Sequence, residues 1–249
     1  MSSKDLSQGL TDFEVPGANF GFTGANIDDL ASMEQTLYGL VVDESGSTMP
    51  FRPEMSKATV AIVDSLRESP RADNLMYRMT HFSNGVREIH GFKELQNCHP
   101  GDYDDLFEQT GQTDLYDATL EMSEAIRIYG EKLAEQSYMA NGILVVITDG
   151  CDFPGSTHGM GDVKRSFEQV IQGEILESMN TILLGVNIHE AHVKQKLEEF
   201  HREAGFTQFE CVEDASKSTM AKLAQFVSDS VSSQSQALGT GGASQSLTF

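Results

Sequence analysis

At 249 residues with 39% hydrophobic side chains, the chain is long enough for one sizeable core or two small domains. A formal net charge of −21 and a pI near 4.5 argue strongly against nucleic acid or an anionic membrane as partner, because phosphate contacts need clustered Lys and Arg. Such acidity instead favours cations or a basic protein face.

No apolar run approaches the ~18 residues that span a bilayer. The start, Met1-Ser2-Ser3-Lys4-Asp5, lacks the apolar core of a secretory signal. Cys98, Cys151 and Cys211 make neither a CxxC pair nor a disulfide framework, and there is no Asn-x-Ser/Thr sequon. A cytoplasmic location is the expectation.

Residues 1–34 are polar with isolated rings at Phe13, Phe20 and Phe22, and read as an extended arm strapped on by those rings. The aliphatic run after them predicts a buried strand over about 37–43. Pro53 suits a first helical turn, and Met55, Ala58, Ile62 and Leu66 share one face of a helix over 53–68. Two strands, Leu75 to Phe82 and Val86 to Phe92, meet through Ser83-Asn84-Gly85, a strong hairpin signal because Asn and Gly tolerate positive φ.

A long helix is predicted over 114–136 and a buried strand over 142–148. A helix over 162–178 follows, carrying Val163, Phe167, Val170 and Ile175. Then come a strand from Thr181 to Val186, a helix marked by Val193, Leu197, Phe200 and Ala204, and a strand from Phe206 to Val212. The last helix begins at Ser216 as N-cap, with Met220, Leu223, Val227 and Val231 inside. Residues 232–249 are Ser/Gly/Gln-rich and read as a flexible tail ending in Leu247-Thr248-Phe249.

Near-continuous aliphatic strands imply burial on both faces, as in a parallel sheet covered by helices. The expected fold is α/β, a doubly wound, Rossmann-like three-layer sandwich over 35–231. Its sheet should be mostly parallel and six-stranded, with one antiparallel edge strand.

Five residues in this frame suggest a divalent-metal site. Asp43, Ser45 and Ser47 follow the first strand directly, and Asp149 ends the strand over 142–148 in Thr148-Asp149-Gly150. In an open α/β sheet, ligands bind at the carboxyl ends of strands, so both aspartates should share one rim. The spacing Asp43-x-Ser45-x-Ser47, with Gly46 permitting the turn, aims three oxygen groups inward. Thr113, at the mouth of the long helix, adds a hydroxyl. Hard oxygen donors suit Mg²⁺, with Mn²⁺ or Ca²⁺ as substitutes.

These residues resemble the von Willebrand factor type A (vWA) domain, whose metal-ion-dependent adhesion site reads Asp-x-Ser-x-Ser, then Thr, then Asp. The segment Gly111-Gln112-Thr113-Asp114-Leu115-Tyr116-Asp117-Ala118 supports the match, which covers about 37–231. The resemblance, to the intracellular prokaryotic type, implies that Ser45, Ser47 and Thr113 bind the ion directly. It implies that Asp43 and Asp149 act mostly through water or hydrogen bonds, and that a partner's Asp or Glu completes the shell. Glu44 departs from the pattern, where a small or apolar residue is usual.

Three functions follow. The first is a metal-dependent protein-interaction module; bacterial relatives of this kind act beside AAA+ ATPases or in kinase and phosphatase stress systems. The second is a structural or assembly subunit of a larger particle, a viral one included, with the metal as a fold staple. The third, a Mg²⁺-dependent phosphohydrolase, ranks last: Ser45 stands where a haloacid-dehalogenase pattern needs Asp, and no Gly-x-x-x-x-Gly-Lys loop exists. No catalytic residue is therefore assigned.

Neighbouring features have plainer readings. The loop from Cys151 to Gly161 is the first candidate for partner contact. Asp102 to Asp105 with Glu108 reads as a solvated acidic loop. Cys151 with His158, and His189 with His192, lack the further ligands of a zinc site.

Overall fold

A computed structural model describes residues 6–108, 111–152, 155–173 and 175–240. Among them one sheet holds eight strands: β1 (Thr11–Glu14), β2 (Gly21–Gly24), β3 (Glu34–Asp43), β4 (Leu75–Ser83), β5 (Gly85–Glu94), β6 (Met139–Thr148), β7 (Met179–Gly185) and β8 (Gln208–Cys211). Their spatial order is β1-β2-β5-β4-β3-β6-β7-β8. The helices are α1 (Arg52–Arg67), α2 (Leu115–Glu135), α3 (Met160–Gln172), α4 (Ala191–Ala204) and α5 (Lys217–Thr240). None of them is long and apolar enough to cross a membrane.

Strand alternation divides the core into two layers. Leu37 and Val41 of β3 face Met122 and Ile126 of α2. Tyr38, Leu40 and Val42 turn the other way, toward Ile62 of α1 and Leu223 and Val227 of α5. Both faces of β3 are buried, which is why its sequence is continuously apolar. Local signals terminate the elements: Pro53 lies in the first turn of α1, and Gly205 ends α4 at φ +82°. The Ser216 hydroxyl accepts the Thr219 N–H at 3.4 Å and so caps α5.

The sheet has eight strands where six are expected, and β5 is not at its edge. The segment read as an arm folds into the β1–β2 hairpin, and β2 pairs with β5 at Gly24 and Phe92. These short strands carry no clean alternation; aromatic contacts hold them instead. Phe13 stacks on Phe22 at 5.2 Å, Phe22 meets Phe92 edge-on at 6.0 Å, and Phe13 meets Tyr129 edge-on at 5.4 Å. The Glu88 carboxylate ties the hairpin down. It accepts the Thr23 hydroxyl at 2.6 Å and pairs with buried Arg78 at 2.8 Å.

The other end also differs. Helix α5 continues through Thr240, past Ser232, where a flexible tail is expected. Gln234 and Ser235 are buried because polar groups at strand starts meet them. Asn141 donates to the Gln234 carbonyl at 2.6 Å, and Gln234 donates to the Ser178 hydroxyl at 2.8 Å. Residues 241–249, with the apolar tip, lie outside the described residues.

Candidate metal centre

Strands β3 and β6 are parallel neighbours, with Val42 opposite Ile147, so their carboxyl ends deliver Asp43 and Asp149 to one rim. Asp43 is fully buried. Its Oδ1 accepts the Ser45 N–H at 2.8 Å, which bends the loop, and its Oδ2 accepts the Thr148 hydroxyl at 2.6 Å. The Ser45 and Ser47 hydroxyls lie 3.1 Å apart, and Ser47 donates to Asp149 Oδ1 at 2.9 Å. Arg52 holds the loop from behind, donating to the Glu44 carbonyl at 2.6 Å. Asp43, Ser45, Ser47 and Asp149 thus form one chain of short polar contacts.

Thr113 is buried, and its segment is laid against the same loop. The Gly46 N–H donates to the Gly111 carbonyl at 3.3 Å. The β4–β5 turn seats this segment from the other side. Asn84 Oδ1 accepts the Gln112 N–H at 2.9 Å, the Ser83 carbonyl accepts the Asp114 N–H at 3.3 Å, and Asp114 accepts the Gly85 N–H. A Cβ at Gly111 would overlap the Asn84 side chain and push it from the Gln112 N–H. Sequence reasoning finds the hairpin turn and misses this use of it. It also misses that Thr148 orients Asp43, although Thr148 lies in the recognised Thr-Asp-Gly run.

Burial pushes the Asp43 carboxyl up against the hydrogen bonds from Ser45 and Thr148. Asp149 is pushed up to about 7, by burial first and by the nearby Asp43 charge second. Two like charges held in a half-dry cleft favour a cation between them. The donors are oxygens only, which fits Mg²⁺, Mn²⁺ or Ca²⁺. Among the described residues no three His, Cys, Asp or Glu side chains gather as a metal cluster. A centre here would rest on two carboxylates supplemented by hydroxyls.

No family model matches the sequence, and no curated protein matches it either. Solved structures do match. The PilB minor pilin from Streptococcus sanguinis aligns over 87% of this chain at TM-score 0.60 and 14% identity, and the chain spans 65% of that structure. SpaC, a pilus adhesin from Lactobacillus rhamnosus GG, aligns over 91% of this chain and 33% of its own, with TM-score 0.56 and 12% identity. The ArnB paralog VWA2 from Sulfolobus acidocaldarius aligns over 80% of this chain and 46% of its own, at TM-score 0.52 and 12% identity. The fold is vWA-like. At these identities the likeness carries the fold alone.

In this vWA-like frame Glu44 does not face the metal loop's open side. It follows Asp43 on the alternating strand and turns into the opposite layer, where it is fully buried. Its carboxylate pairs with Arg87 at 2.9 Å and contacts His81 Nδ1 at 3.1 Å. Burial raises the Glu44 pKa, but these contacts outweigh it and bring the carboxyl down to about 2. Burial also lowers the His81 pKa, against the hydrogen bond with Glu44, and the Arg87 guanidinium gives Glu44 a counter-charge. The stability from Glu44 is present above the ordinary glutamate range and is lost as pH falls from about 4.5 toward 2. Glu44→Gln should cost about 2 kcal/mol in urea unfolding at pH 7 and leave Mg²⁺ affinity unchanged.

The loop after Asp149 is laced to the first turn of α2. Asp117 accepts the Thr157 N–H at 2.8 Å and the His158 N–H at 3.0 Å, while Asp152 accepts the Tyr116 N–H at 3.3 Å. Phe153 and Pro154 lie outside the described residues. His158 pairs with Asp117, His189 with Asn187 and His192 with Glu190, so each histidine has its own neighbour. In the acidic loop Asp104 and Asp105 are exposed, while Tyr103 is buried and donates to His90 Nε2 at 2.9 Å.

Proposed function

We propose that this vWA-like domain captures a partner protein through a divalent cation, Mg²⁺ by preference. Ser45, Ser47 and Thr113 would hold the ion, with Asp43 and Asp149 behind them. The observation that most supports this reading is the continuous chain from Asp43 through Ser45 and Ser47 to Asp149 at bonding distances on one rim. The ion, when bound, supplies a coordination position for an Asp or Glu of the partner. The chain's own residues do the rest: Thr148 and the Ser45 amide orient Asp43, Arg52 braces the loop, and the Asn84 turn presents Thr113.

The cytoplasm is the proposed compartment, supported by three free cysteines. An AAA+ ATPase or a kinase and phosphatase system is the proposed setting, by analogy with the bacterial relatives that the sequence resembles. No catalytic activity is proposed.

Affinity capture from a lysate should succeed with Mg²⁺ or Mn²⁺, fail with EDTA, and fail with Ser45→Ala while that variant keeps its fold. Capture that resists EDTA would overturn the metal bridge. A second reading, an assembly subunit, draws support from the shared fold of a minor pilin and a pilus adhesin. It predicts large homo-oligomers in light scattering, whereas the first reading predicts a small species of constant mass.

A further inference from the structure

The chain has a pocket of about 550 Å³ walled by the β1–β2 loop, α2, Thr157 and His158, and α3 as far as Gln169. One wall is apolar, built by Val15, Phe20 and Leu120. The lining carries four carboxylates, Asp117, Glu121, Glu124 and Asp162, against two guanidinium groups, Arg127 and Arg165.

Five of these six charged groups are engaged. Asp117 holds the Thr157–His158 backbone, and Glu124 takes the Ser166 hydroxyl at 2.6 Å and Arg127 at 2.8 Å. Arg127 also reaches Glu131, and Arg165 pairs with Asp162 at 3.0 Å. Glu121 is different: among the described residues no hydrogen bond or ion pair reaches its carboxylate. Burial raises its pKa to about 7, and the nearby Arg78 charge offsets this only in part.

We infer that this pocket receives a lysine or arginine side chain of the captured protein, its alkyl stem on the Leu120 wall and its cationic head on Glu121. An anionic group is disfavoured because both guanidiniums of the lining are already held by carboxylates, Arg127 by Glu124 and Arg165 by Asp162. A bare metal ion is disfavoured because the pocket holds far more than one ion and offers a long apolar wall. A stem with a charged tip matches both features. The chain's overall charge of −21 favours a basic partner surface.

Glu121 stands six positions, about 9 Å of helix, beyond Leu115 at the start of α2, and Thr113 lies two residues before that start. A partner segment can therefore place a carboxylate at the metal rim and a basic residue in the pocket together. That the occupant is a protein side chain rests on the proposed function; the pocket's preference for a cation does not.

The test is NMR titration of the intact chain with blocked lysine, arginine and glutamate (N-acetyl, N′-methylamide). Saturable shifts at the Val15 and Leu120 methyls are expected with the two cations and not with glutamate. Glu121→Gln should weaken the cations at least 5-fold, and Glu198→Gln, exposed on α4 and outside the pocket, should leave them unchanged. Absence of saturable cation shifts, equal shifts with glutamate, or unchanged affinity in Glu121→Gln would overturn the pocket assignment. Cation binding together with EDTA-resistant capture would uphold the pocket and overturn the metal bridge instead.

Discussion

Gly91→Ala is expected to pry the amino-terminal hairpin off the sheet. Gly91 lies in β5, beneath the Thr23 backbone, and a Cβ there would overlap the Thr23 carbonyl carbon and oxygen. Backbone cannot rotate aside as a flexible side chain can, so β2 must move. Its hold is short, with one register pair to β5 and the Ala25 N–H to the Phe92 carbonyl at 2.6 Å. Displacement would also break the Thr23–Glu88 contacts and expose Val15, Phe22 and part of Phe13.

Each buried apolar side chain contributes ~1.5–3 kcal/mol, so the local loss is roughly 4–6 kcal/mol. Limited proteolysis should show cleavage within 15–33 at least 10-fold faster than in the parent chain. The remaining sheet should stay folded, because the hairpin adds Val15 and Phe22 to one core layer and nothing to the other. Gly101→Ala, where a Cβ meets nothing within 4 Å, serves as control. Unchanged proteolysis in Gly91→Ala would show that the strap is not closely seated.

Asp149→Asn should stabilise the metal-free protein at pH 8 and abolish its response to Mg²⁺. The folded-state pKa of Asp149 is about 7, above the ordinary 3.8. Between those values the folded chain binds more protons than the unfolded chain, so stability falls as pH rises. The full shift corresponds to at most ~4 kcal/mol, and partial exposure reduces this to about 1–2 kcal/mol. Asn keeps an oxygen acceptor for the Ser47 hydroxyl while removing the charge that repels Asp43.

Thermal melts in EDTA should therefore place Asp149→Asn a few degrees above the parent at pH 8, with the gap closing toward pH 4. With Mg²⁺ at 100 times its Kd, the parent should gain about 2.7 kcal/mol and the variant little. Equal Mg²⁺ stabilisation of both proteins would remove Asp149 from the centre.

Much of the frame is legible in the sequence because it rests on local patterns. Continuous aliphatic runs mark β3, β6 and β7, and shorter apolar stretches mark β4, β5 and β8. Helical spacing marks α1 to α5, and the Asn84-Gly85 pair marks the hairpin. The rim position of Asp43 and Asp149 follows from strand polarity alone, since parallel neighbours end on the same side. The β1–β2 hairpin leaves no such trace, because its strands span four residues each and are held by rings that meet across the fold. The last turns of α5 read as linker because Ser and Gln meet their polar partners only across the sheet.

The sequence by itself determined a buried parallel sheet and the oxygen-rich residues at its rim. Tertiary structure alone decided how those residues are held. It seated Thr113 on a turn about 30 residues earlier in the chain and gave Asp43 to Thr148. It turned Glu44 away toward Arg87 and closed a pocket around Glu121. The physical reason is one of range: burial and strand period are written along the chain, whereas hydrogen-bond partners and uncompensated charges depend on which distant segments the fold brings together.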